Sequence, residues 1–141
     1  KLKDIVNYAD LVQSIGRKKI YDKLINMSDK LEKNILLQLK LGNEASKSGF
    51  SKSEINNIIE NHPKDCVVKI KGLMVIAEGG LTEMETNNQF AFANDFFRSI
   101  KHINEDIEYL SMGMSNDYDI ALTNGSNMIR IGTSLFGSRN K

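Results

Sequence analysis

Apolar and polar positions follow two periods along the chain, and the elements begin and end where one period gives way to the other. Leu11-Val12-Gln13-Ser14-Ile15 reads as a strand, with Gly16-Arg17 as its turn. Residues 18–28 place Ile20, Leu24 and Met27 on one helical face, and residues 35–41 form a second apolar strand followed by the polar loop 42–50. Ser51-x-x-Glu54 has the spacing of a capping box, and Ile55, Ile58 and Ile59 supply the buried stripe of the helix it opens. Pro63, the only proline, ends that helix near Asn61. Residues 67–76 form a third strand in which Val68 and Ile70 point one way and Lys69 and Lys71 the other, the lysines solvated at its entry. Glu78-Gly79-Gly80 begins a loop, and residues 87–103 form a helix with Phe90, Ala93, Phe97 and Ile100 inside. Two more strands follow at Tyr109–Met114 and 128–133. Between them lies a short helix at 116–123 that closes on Asn124-Gly125, a pair suited to a left-handed cap. Residues 134–137 are a final helical turn, and residues 1–8, with Leu2, Ile5 and Val6 at helical spacing, resemble the last turns of a helix.

Five strands separated by four helical segments predict a parallel sheet covered by helices. The strands lack a clean alternation of apolar and polar residues, as expected of strands buried on both faces. Such a pattern closes either as a doubly wound open sheet or as part of a (β/α)8 barrel. No GxGxxG follows any strand, which removes the usual signature of the first. Anion-holding residues at the last two strands beside a short final helix are a barrel habit. The fold expected is α/β, a parallel barrel of TIM type represented by about five of its eight βα units.

Composition narrows the partners more than the fold. Nineteen Lys and Arg against 18 Asp and Glu leave a net charge of +1, with no general pull toward nucleic acid or an anionic membrane surface. With 40% hydrophobic and 26% charged residues, the 141-residue chain is composed like a soluble globular domain. No run approaches the roughly 18 apolar residues of a membrane span, and the first residues lack a secretory leader's apolar core, so a cytoplasmic protein is expected. Cys66 is expected as a small packed residue at a strand's start, and Met112, Met114 and Met128 as core filler. His62 and His102 lack companions at metal-ligand spacing, and no metal site is expected. No nucleophile elbow, P-loop or carboxylate pair stands out, so no residue is nominated as catalytic.

The candidate chemistry lies in the last two strands. In the fifth, Met128, Arg130 and Gly132 share one face, and Ile129, Ile131 and Thr133 the other. If the isoleucines pack on outer helices, Arg130 points into the barrel, where it needs a carboxylate or an electron-rich ligand atom. Gly132-Thr133 then opens a helical turn whose amides, with the hydroxyls of Thr133, Ser134 and Ser115, suit a phosphate. The same residues admit a plainer explanation, with Ser115 and Thr133 as helix caps and Arg130 as an ion-pair partner. Lys47 is a further anion-binding candidate, although a solvated loop lysine explains it better.

LSMGMSNDYDIALTNGSNMIRIGTSLFG resembles the carboxyl-terminal signature of the pyridoxal 5′-phosphate homeostasis protein family: S-x-G-M-S, an acidic short helix, G-S/T-x-x-R-I-G and F-G. LKLGNEASKSGF and KGLMVI resemble two further family segments, in matching order, so the likeness covers nearly the whole chain. The family's fold is the barrel of the amino-terminal domain of alanine racemase. The resemblance implies pyridoxal 5′-phosphate as cofactor, with Ser115, Gly132 and Thr133 at its phosphate and Arg130 facing its pyridine nitrogen. A fixed cation there disfavours protonation of that nitrogen and weakens the ring as an electron sink. The implied role is a non-catalytic carrier or regulator of the vitamin B6 pool. An amino-acid racemase-like enzyme is the alternative, and a decayed scaffold that retains only phosphate binding is a third. Nothing in the chain matches the family's early region with its Schiff-base lysine. Residues 1–141 are therefore expected to be the carboxyl-terminal part of a single barrel domain, with that lysine ahead of Lys1.

Overall fold

The computed structural model defines residues 5, 8–27, 32–42 and 48–137. Within them, strands β1 (Leu11–Ile15), β2 (Lys33–Leu39), β3 (Val68–Val75), β4 (Tyr109–Met114) and β5 (Met128–Arg130) alternate with helices α1 (Lys18–Asn26), α2 (Lys52–Glu60), α3 (Glu83–Lys101) and α4 (Tyr118–Thr123). A single helical turn, α5 (Thr133–Phe136), follows β5. All neighbouring strands are parallel and stand in the order β1-β2-β3-β4-β5. A doubly wound sheet would reverse its strand order at a switch point; this sheet does not, and it follows the winding of a barrel.

One hydrogen bond shows how far the sheet is curled. Ser111 on β4 donates its hydroxyl proton to Gln13 Oε1 on β1 over 2.7 Å. In a flat sheet those strands would lie three spacings of about 4.8 Å apart, too far for a serine and a glutamine to meet. The sheet therefore bends into a half-barrel whose concave face carries Gln13 and Ser111. On the convex face, Leu110 and Met112 of β4 alternate with Ser111 and join Ile35, Leu37, Ile70 and Val75 in the core beneath the helices. Fully buried Leu, Ile and Phe side chains of this kind each contribute about 1.5–3 kcal/mol.

The helices start where their caps put them. Ser51 donates its amide to Glu54 Oε2 over 2.7 Å, and its hydroxyl accepts the Glu54 amide, completing the predicted capping box of α2. This bonding holds the Glu54 carboxyl below its usual range. Thr82 and Glu85 make the same box for α3, which begins at Glu83 rather than at 87. The earlier start was hidden because Met84 faces solvent while Thr86 fills the core position one turn before Phe90. Phe90, Ala93, Phe97 and Ile100 are buried as their spacing predicts. The carboxyl end of α4 is a left-handed cap: Gly125 has φ +86°, and the amides of Gly125 and Ser126 donate to the carbonyls of Leu122 and Ala121.

Lys71 departs from the solvated reading. Its side chain is only 19% exposed and pairs with Glu108 at 2.9 Å and Asp106 at 3.6 Å, where the chain enters β4. Those bonds raise its pKa, the Glu108 hydrogen bond most. His62 donates from Nε2 to the Val68 carbonyl and accepts the Tyr21 hydroxyl proton at Nδ1, each over 2.8 Å. Cys66 is buried just before β3. Ile5 and Tyr8 are the described positions of the amino-terminal segment, and both are helical. Leu2, Val6, Ser28 and Lys47 lie outside the described residues. Among the described residues, β1 pairs only with β2 and β5 only with β4, and no helix is long and apolar enough to cross a membrane.

Candidate functional site

The carboxyl ends of β3, β4 and β5 open onto a cavity of about 560 Å³, within the usual range for small-molecule sites. Ser115, Arg130, Gly132 and Thr133 all line it, so the structure brings the four sequence-selected residues together. Ala77, Glu78, Gly79 and Gly80 from the loop after β3 form another wall.

Arg130 is half-buried on the concave face. Its Nη1 donates to the Ser111 carbonyl over 3.0 Å and to the Ser111 hydroxyl over 2.8 Å, and its Nη2 donates to the Val75 carbonyl over 2.8 Å. The side chain thus spans three strands from β5 across β4 to β3. Burial lowers its pKa and the charge of Asp117 opposes that shift, and a guanidinium remains a cation throughout the physiological range. None of its described hydrogen bonds goes to a carboxylate, so the plain ion-pair explanation does not account for it. The outer-face packing assumed for the isoleucines is incomplete: Ile129 is 37% exposed.

The β4 end is shaped by Gly113. It has φ +97°, and a Cβ there would lie 2.7 Å from Ala121 Cβ and 2.9 Å from Tyr118 Cα. Only glycine lets α4 approach so closely and return the chain tightly through Met114 and Ser115. Asp117 secures this turn by accepting the Met114 amide over 2.6 Å, and for that reason α4 starts at Tyr118 rather than at 116. Neither hydroxyl is a cap of its own helix, since Asp117 precedes α4 and Gly132 precedes α5. Ser115 instead reaches across: its Oγ accepts the Ser134 amide over 3.2 Å. With that lone pair engaged, its hydroxyl proton is available to an anion in the cavity. β5 stops at Arg130, short of 133, because the chain turns at Gly132 into α5. A Cβ on Gly132 would meet nothing within 4 Å, so the space before it is open.

Hydroxyls, amides and a guanidinium form a donor set for an anion and for a hydrogen-bond-accepting atom beside it. Two carboxylates also line the cavity, and each is tied to a protein donor: Asp117 to the Met114 amide, and Glu78 to the Gln89 side-chain amide over 2.7 Å. Met112 is buried in the core as expected, whereas Met114 is 40% exposed and lines the cavity. Sequence reasoning missed Ser111, Gln13 and Glu78. The period of two in Ser111-Met112-Gly113-Met114-Ser115 marks Ser111 as sharing the Gly113 and Ser115 face, but the partner across the half-barrel has no local signal.

Comparison with known proteins agrees with the fold. The family model described as alanine racemase, N-terminal domain, matches residues 1–140. A pyridoxal phosphate homeostasis protein of Haemophilus influenzae is 35% identical over 147 residues, covering 99% of this chain and 61% of that protein. One from Aquifex aeolicus is 27% identical, covering 99% and 62%. The chain spans about three fifths of the length of these curated relatives. Among solved structures, PipY of Synechococcus elongatus with pyridoxal phosphate bound superposes with a TM-score of 0.86 at 31% identity, over 97% of this chain and 65% of PipY. PipY without the ligand gives 0.88 at 32% identity, over 97% and 66%.

Proposed function

The chain belongs to the alanine racemase N-terminal domain family, and from that premise we propose that its cavity binds pyridoxal 5′-phosphate in the service of vitamin B6 homeostasis, as a carrier or regulator rather than an enzyme. Ser115, Gly132 and Thr133 hold the phosphate and Arg130 faces the pyridine nitrogen. The observation that carries this reading is the convergence of those four residues on one cavity at the carboxyl ends of parallel strands. The names of the Haemophilus relative and of the PipY complex support the choice of ligand.

The residues fit the group chemically. The Ser115 and Thr133 hydroxyls and the open space before Gly132 would hold the phosphate. Arg130 has only donors, so it accommodates an unprotonated ring nitrogen and repels a protonated one. Bound in this way, the cofactor supplies an electrophilic aldehyde, but the arginine withholds the charge that would make the ring a strong electron sink. A non-catalytic role accords with this. None of the described cavity-lining residues is a histidine, cysteine, tyrosine or lysine, and both described lining carboxylates already accept hydrogen bonds from protein donors.

The test is the double substitution Ser115→Ala with Thr133→Ala, assayed by equilibrium binding of pyridoxal 5′-phosphate and of pyridoxal. Each lost hydrogen bond to the phosphate dianion is worth about 1.5–3 kcal/mol, so the phosphate ester should lose about a hundred-fold or more in affinity while pyridoxal changes little. Undiminished affinity for the ester in a folded variant would remove these residues from the phosphate site.

A further inference from the structure

Ser111 lies on the concave face with 0% exposure, and its hydroxyl meets two partners, Arg130 Nη1 at 2.8 Å and Gln13 Oε1 at 2.7 Å. The arginine can only donate, so Ser111 Oγ accepts from it and its own proton must go to Gln13. The amide of Gln13 is thereby oriented, since a nitrogen in place of Oε1 would leave the proton of the fully buried Ser111 without an acceptor. The chain runs in one direction, from Arg130 through Ser111 to Gln13. It ties β5 to β1, the two edge strands of the sheet, across the concave face. With the Val75 carbonyl on Nη2, three of the guanidinium's five N–H groups are fixed, leaving Nε and one N–H of Nη2 for a ligand.

We infer that Ser111 and Gln13 are positioning residues that lock the Arg130 guanidinium in one orientation and thereby make the site specific for a phosphorylated ligand presenting a hydrogen-bond-accepting ring nitrogen. The inference rests on the pyridoxal phosphate reading for the identity of that ligand, while the lock itself is a property of the protein alone. Neither residue lines the cavity, and both act through Arg130.

The test compares the affinity of the whole chain for pyridoxal 5′-phosphate and for the analogue in which the ring nitrogen is replaced by CH. The wild type should prefer the nitrogen compound by about ten-fold or more, the share of one charge-assisted hydrogen bond. Ser111→Ala and Gln13→Leu should bring the two affinities within about two-fold of each other, with the affinity for the CH analogue retained as a control on folding and on the phosphate contacts. Gln13→Glu keeps the acceptor and should keep the preference. Unchanged discrimination in folded Ser111→Ala and Gln13→Leu chains would overturn the lock. If the wild type binds neither compound, the cofactor reading fails, and the Arg130 side-chain NMR signals of the free chain decide the lock separately. Slowly exchanging Nη protons that disappear in both variants sustain it, and identical spectra in all chains overturn it.

Discussion

Replacing Arg130 with Met separates what the guanidinium does for the ligand from what it does for the fold. The substitution keeps an unbranched stem of similar reach on β5 and removes the three hydrogen bonds to Ser111 and Val75. Charge-assisted bonds of this kind are individually worth about 1.5–3 kcal/mol. They are set against the desolvation of a half-buried cation, which amounts to several kcal/mol and is the main cause of its lowered pKa. The two nearly cancel, and a net destabilisation of about 1–2 kcal/mol is expected. No such compensation operates on the ligand. On the proposed binding mode one guanidinium N–H bond to a ring nitrogen is lost outright, so affinity for pyridoxal 5′-phosphate should fall by about ten- to a hundred-fold. The bound ligand's spectrum should also become pH-dependent near neutrality, because its nitrogen can then take a proton. Urea unfolding and absorbance titration on the same samples measure both effects. A folded variant that binds within two-fold of the wild type, with an unchanged spectrum, would refute the reasoning.

Four further outcomes follow from the fold. Thr82→Ala removes the hydroxyl half of the α3 capping box and should cost about 1 kcal/mol in urea unfolding; an unchanged midpoint would count against the cap. Gly113→Ala combines a left-handed backbone with a Cβ 2.7 Å from Ala121 Cβ, so it should destabilise by about 2 kcal/mol or more and weaken ligand binding by displacing Ser115. Wild-type stability together with wild-type affinity would contradict this. His62 has its pKa lowered from 6.5, chiefly by burial, so the unfolded chain binds its proton first as pH falls. Its contribution to stability is therefore full above pH 6.5, declines as pH falls from 6.5 to the lower folded value, and is level below that. An NMR titration of the imidazole with a midpoint at or above 6.5 would refute the assignment. Tyr21, raised to about 12 by burial in the same contact, should stay un-ionised well past its usual range.

The elements that the sequence revealed are those whose patterns are local. β1 and β4 carry their signal in short strand-compatible stretches bounded by turn residues, and α2 and the Gly125 cap in short motifs, so each is found where the residues predict. The parallel order followed from alternation alone. Arg130, Ser115, Gly132 and Thr133 were legible because a strand of period two running into a glycine and hydroxyl residues is itself a local pattern. The start of α3 was missed although Thr82-x-x-Glu85 has the same spacing as Ser51-x-x-Glu54, because apolar periodicity outweighed the cap when Met84 faced solvent. The Arg130–Ser111–Gln13 chain could not be read at all, because it joins residues brought together only by the curl of the sheet.

The central claim is that this chain itself holds the phosphate and ring nitrogen of pyridoxal 5′-phosphate through Ser115, Thr133 and Arg130. It is tested most directly by an absorbance titration of residues 1–141 with the cofactor, followed by borohydride treatment and peptide mapping. None of the described cavity-lining residues is a lysine, so saturable binding with no single stoichiometrically labelled lysine is the predicted result. No saturable binding, or stoichiometric labelling of one lysine among the described residues, would contradict the account.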